Sequence, residues 1–138
     1  IVRGYPMRTS SRAIQKALGA DLPVGTDKVT LFVPGKDRMS EAIDQDYWTD
    51  EALSALGRMF RGATAFPPGK GVWRDDGEGA ALLREATVMI VSYTTKAAFR
   101  ENFAALRSFL HRFGRDGNQG EIGLLINDQY YGISKYDE

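Results

Sequence analysis

The chain has no cysteine, a single histidine, few prolines and no net charge. Without cysteine there is no disulfide framework, no thiolate nucleophile and no Cys-ligated zinc site. One histidine rules out a His-rich metal centre, and no metal ligand set is assigned. Lys plus Arg number 18 and Asp plus Glu number 18, so no global field draws in DNA or an anionic membrane. No apolar run approaches the ~20 residues of a membrane span. The opening IVRGYPMRTSS lacks the apolar core of a secretory signal, which makes a cytoplasmic, membrane-free protein the expectation. Met7 offers an alternative start.

What is present reads as one compact unit behind an arm. A chain of 138 residues is large enough to bury roughly two-thirds of its unfolded surface without staples. Residues 1–27 form the arm. In SSRAIQKALG a serine can cap a short helix with Ile14, Ala17 and Leu18 on one face and Gly19 at its end, and ADLPVGTD is a linker.

The body, residues 28–138, begins with KVTLFVPG, a β-branched strand ended by Pro34 and Gly35. Asp44 or Asp46 can cap the helix DYWTDEALSALGRMF, in which Thr49, Ala52, Leu53, Leu56 and Phe60 share a side and Gly62 marks the end. GATAF is a second strand, PPGKG a turn and VWRDD its continuation or hairpin mate. ATVMIVSYT is a continuous apolar run suited to a central strand. A helix from Lys96 to Phe113 puts Phe99, Phe103, Leu106, Leu110 and Phe113 at spacings of four, three, four and three, an apolar seam for packing on a sheet. On that reading Phe103→Ala should cost about 3–5 kcal/mol. EIGLLIND and QYYGIS form a hairpin about Asn127 and Asp128, and the last residues are read as loose.

The order is therefore βαββαβ with an extra terminal strand: a ferredoxin-like α+β fold, two helices covering one face of a mostly antiparallel sheet. The run from LFVPG through the Trp-containing helix, ATAFPPGKGVWRDD, EATVMIVSYT and the helix before NQGEIGLLI resembles a group of small uncharacterised bacterial proteins of ferredoxin-like design. The resemblance covers about residues 28–133 and implies a fold but no reaction.

Three stretches carry the candidate site residues. On the second helix, the 3.6-residue period sets Arg100, Arg107 and His111 on one flank of the seam, with Arg115 beyond Gly114. This is either an anion-recognition stripe with an acid–base histidine or a solvated flank of cations near a helix C-terminus. In GRDGNQGE the side chains of Arg115, Asn118, Gln119 and Glu121 converge only if the loop folds back over the sheet. In the third stretch, Trp73 and Arg74 can form a stacking platform or simply pack. GKG lacks the spacing of a phosphate loop, and the strand TVMIVSYT lacks the signature of an RNA-binding sheet. No cofactor is implied and no catalytic residue stands out.

Two functional readings follow. The first is a non-catalytic module that self-associates or binds a protein partner through its sheet, because such a sheet leaves a face and edges free. The second is a small-molecule-binding protein or enzyme, with an anionic ligand among the candidates, whose pocket is walled by His111, Arg115, Gln119 and Glu121. A nucleic-acid-binding module is the lesser alternative.

Overall fold

The computed structural model describes residues 9–77 and 79–138. The start of the arm, Met7 included, lies outside the described residues. Among those described, six strands and four helices follow in the order α1 (Ser11–Leu18), β1 (Asp27–Pro34), α2 (Gln45–Phe60), β2 (Thr64–Ala65), β3 (Gly69–Asp75), β4 (Ala81–Thr94), α3 (Lys96–Glu101), α4 (Phe103–Asp116), β5 (Ile122–Ile126) and β6 (Gln129–Ile133). The sheet runs β2-β4-β1-β5-β6, with β3 also on β4, and every pairing is antiparallel. This is the ferredoxin-like α+β plan with one added strand. α1 bears out the expected caps: Ser10 Oγ accepts from the Ala13 N–H, and Gly19 turns left-handed at φ 65°.

Alternation along β1 decides the layers. Val29, Leu31 and Val33 are buried toward the helices, on the same side of the sheet as Ile90 and Val88 of β4 and Leu124 and Ile122 of β5. From α2 come Trp48, Ala52, Leu56 and Phe60, and from α4 come Leu106, Phe109, Leu110 and Phe113. Trp48 takes the first inward position of α2, its ring centre 4.8 Å from that of Phe113, while Thr49 is only half-buried. The helix stops at Arg61, itself left-handed at φ 76°, one residue before the glycine expected to end it.

Four expectations change. The helix after β4 is broken at Asn102, whose amide Nδ2 donates to Ala98 O at 2.7 Å and Met59 O at 3.2 Å. The backbone therefore leaves helical register between Phe99 and Leu106. Phe103 is consequently 52 % exposed, resting edge-on against Phe99, and Phe109 fills the core position instead. Second, β4 starts at Ala81, ahead of its apolar run. Leu82 to Glu85 extend it because they pair with β3, although no second layer buries them. Third, the glycines of GKG lie within β3, and Phe66, Pro67 and Pro68 are all that separate β2 from β3. Ala65 opposes Ile90 but Gly69 opposes Thr87, so the strand gains one residue there, a bulge where proline N–H groups are not needed.

Fourth, the residues after β6 are held rather than loose. Tyr136 lies against Gly114, where an added Cβ would collide with its ring, and its hydroxyl donates to Gln119 O at 2.8 Å. Asp137 takes a two-pronged ion pair from Arg107, at 2.7 and 3.0 Å.

Candidate functional site

The face of the sheet away from the helices carries a cleft of about 370 Å³, within the usual range for small-ligand sites. Its floor is Phe32 and Pro34 of β1, which alternate with the core residues of that strand. β1 ends at Pro34, opposite Thr87, so residues 81–86 of β4 run on with β3 alone. That overhanging hairpin walls one side with Trp73, Arg74, Asp75, Leu83, Glu85 and Thr87. Across the floor stand Glu121, Gly123 and Tyr130. Tyr130 lies over Gly123, where a Cβ would collide with its hydroxyl, and hydrogen-bonds to the Glu121 carboxylate. Burial first, then that carboxylate, pushes the Tyr130 phenol well up from its ordinary value.

The end wall is two loops bound to each other. Arg38 N–H donates to Asn118 O at 2.9 Å, and the Arg38 guanidinium donates to Gln119 O at 2.7 Å. Gln119, 3 % exposed, donates from Nε2 to Lys36 O at 3.1 Å and Gly117 O at 2.9 Å. Asn118, left-handed at φ 49°, donates to Asp37 Oδ2 at 3.2 Å. The other Asp37 oxygen accepts from the backbone N–H groups of Met39 and Glu41. These bonds, the Glu41 one foremost, hold the Asp37 carboxyl below its usual range.

The polar groups between those walls are of both signs. Lys36 and Arg38 are set among Asp37, Asp75, Glu85 and Glu121, whereas strand alternation turns the Arg74 and Arg84 side chains to the other face of the hairpin, with Val72 and Leu82. Arg74 is paired with Asp76 and Lys36 Nζ donates to Arg84 O at 3.3 Å. Glu85 is half-buried, and desolvation raises its pKa. The Trp73 indole and Lys36, which face it, partly restore the charged form. Thr87 Oγ1 is shut from solvent and has no hydrogen-bond partner among the described residues.

The sequence candidates divide between two places. Trp73, Arg74, Gln119 and Glu121 line the cleft, and Asn118 braces its end wall. Trp73 is 41 % exposed, so it is not a core residue. Arg107, His111 and Arg115 do not join them. His111 is buried, 7 % exposed, and its Nδ1 accepts the Asp137 N–H at 2.8 Å. Arg115 donates to Asp137 O at 2.6 Å and pairs with Asp116. The flank of α4 is thus a clasp for the C-terminal segment, and the expected four-residue pocket does not form. Sequence reasoning missed Phe32, Glu85, Thr87 and Tyr130. Strand alternation could have found Phe32, since it sets that side chain on the face opposite to Leu31 and Val33; the other three needed the strand pairing. No cluster of metal-ligating side chains occurs among the described residues, and no helix among them is long and apolar enough to cross a membrane.

Fold and cleft together define an open-faced ferredoxin-like protein with a concave site on its uncovered sheet. No protein-family model matches the chain, and neither does any curated protein. Among solved structures it is similar to a phage SAM lyase in complex with S-methyl-5'-thioadenosine, at 16 % identity and a TM-score of 0.60, over 83 % of this chain and 94 % of that one. A phage SAM lyase in its apo state matches at 18 % identity and a TM-score of 0.57, over 86 % and 96 %. At such identities the likeness is one of fold.

Proposed function

We propose that the chain binds a small molecule in the open-face cleft, and that the ligand is a nucleoside thioether or sulfonium of the kind named for its structural neighbour. The observation that carries this reading is the lining itself. Trp73, Phe32 and Tyr130 offer flat apolar surface for a heterocycle, and Glu85 and Glu121 offer negative charge for a cationic sulfur or amine. The mixed charges suit a zwitterion better than the purely anionic ligand considered from the sequence. Whether chemistry follows binding is a separate question, read by product analysis of the same mixtures.

The test is calorimetric titration with S-methyl-5'-thioadenosine and with SAM, paired with thermal melts. Ligand at a hundred times Kd should stabilise the fold by about 2.7 kcal/mol, and Trp73→Ala should remove most of that gain. No heat and no shift at millimolar ligand would end the proposal.

Contact with a protein partner, a second copy included, is the other reading. It is favoured by the opposite face of the overhanging hairpin, where Val72 and Leu82 are 50 % and 60 % exposed. Light scattering that gives a monomer mass at high micromolar concentration would remove self-association.

A further inference from the structure

We propose that the outer edge of β6 pairs with the β6 of a second copy, antiparallel about a two-fold axis at Tyr131, so that the two sheets run on as one. The inference goes beyond the cleft reading and does not depend on it. It starts from which backbone groups are already spent. Asn127 and Asp128 alone join β5 to β6, and Ile126 opposes Gln129. In such a hairpin the closing pair exchanges hydrogen bonds, and bonded and non-bonded pairs alternate from there. Gln129, Tyr131 and Ile133 therefore point their N–H and C=O groups at β5, while Tyr130 and Gly132 point theirs outward. The far side of β5 agrees, since the Asn127 N–H donates away from β6 to Lys28 O of β1 at 2.7 Å. β6 ends the sheet, and among the described residues no turn or loop backbone meets Tyr130 or Gly132.

The edge is also unguarded. Proteins blunt free sheet edges with charged side chains, proline or bulges. β3, a free edge on the far side of the sheet, carries Lys70, Arg74 and Asp75. QYYGI carries neither charge nor proline, and Gln129 to Gly132 are exposed. What flanks the strand selects a second copy as its occupant. Asp128 stands just before it and Lys135 shortly after it, both exposed. An antiparallel copy brings the Asp128 end of each strand to the Lys135 end of the other, whereas a parallel copy sets like charges side by side. Centring the pair on Tyr131 places each Tyr130 opposite the other copy's Gly132, so every outward N–H meets a C=O. Tyr131 opposes Leu124 within the chain and so lies on the helix side of the sheet. There the two Tyr131 rings meet across the axis as a cross-strand aromatic pair.

Light scattering and hydrogen exchange on the unmodified protein, from low to high micromolar concentration, are the test. The mass should rise from that of one chain toward that of two. Over the same range, exchange should slow at the Tyr130 and Gly132 amides and stay unchanged at Tyr131 and Ile133, which already bond to β5. Tyr131→Lys puts like charges face to face and should weaken the dimer about tenfold. Mixing it with Tyr131→Glu should restore pairing, because only the mixed dimer sets opposite charges across the axis. A monomer mass throughout overturns the proposal. So does a dimer whose slowed amides lie elsewhere, as on the hairpin that carries Val72 and Leu82, or a folded Tyr131→Lys chain that dimerises as tightly as the parent. If either variant fails to fold, the exchange pattern of the unmodified protein decides.

Discussion

The two faces of the sheet hold two polar clusters that look alike in composition and differ in how completely they are satisfied. On the helix side, Arg107, His111 and Arg115 all engage Asp137, and Tyr136 covers Gly114. On the open side, Thr87 Oγ1 is shut from solvent with no partner among the described residues, and half-buried Glu85 has its carboxyl pKa raised by desolvation. A cluster whose hydrogen bonds close on themselves is holding the chain together. One that leaves a buried hydroxyl unmatched takes stability away instead of adding it. Residue type alone does not separate the two; the accounting of partners does.

Substitutions can break or sharpen that contrast, and the largest effects belong to the helix side. Phe113→Ala, at a fully buried position, should cost about 3–5 kcal/mol in urea melts. Phe103→Ala, half-exposed, should cost less than about 1 kcal/mol. Equal losses would mean that α4 does not sit as described. Next comes Gly114→Ala, which drives a methyl into the Tyr136 ring and should cost about 1–3 kcal/mol. The same change in a chain already carrying Tyr136→Ala should cost much less, and equal costs in both backgrounds would separate the clasp from Gly114.

The smallest effects, with the opposite sign, belong to the open face. Burial raises the folded-state pKa of Glu85 above its unfolded value. The ionised form therefore weighs against folding above the ordinary carboxylate range and has no such effect once both states are protonated. Glu85→Gln should raise Tm at pH 7, and the gain should shrink toward zero near about pH 4. Thr87→Val should be neutral or stabilising by up to about 1 kcal/mol, because it removes an unmatched hydroxyl. A loss from either change would show that these side chains are structural, and the contrast between the faces would disappear.

Much of the architecture was legible in the sequence. The β-branched run KVTLFVP, the apolar ATVMIVSYT and the turn at Asn127 each specify their element locally, and their order gives the plan. The break at Asn102 was not legible, because the seam spacing of Phe99 and Phe103 fits an unbroken helix. At the break the Asn102 amide donates to Ala98 O and to Met59 O of another helix, a contact that spacing does not record. The burial of His111 was likewise not legible, since helical period cannot foresee a terminal segment folding over it. The cleft was half legible. Trp73, Arg74, Gln119 and Glu121 stood out as polar or aromatic residues beside glycines, but Glu85 and Thr87 acquire meaning only when β3 pairs with β4 and sets Gly69 and Gly71 opposite them.

The length of β4 gives this molecule two internal clocks. From Val88 to Thr94 its backbone lies between β1 and, in part, β2, so deuterium should enter those amides only through openings close to global unfolding. From Ala81 to Ala86 the strand has β3 on one edge and, among the described residues, no strand on the other, where only the side chains of Lys36 and Gln45 reach the carbonyls of Arg84 and Ala86. Exchange there should be faster, and at every second amide faster still, because only those pointing at β3 are shielded. One continuous strand thus joins a slow interior to a quick rim, and the rim can breathe around a guest without loosening the interior.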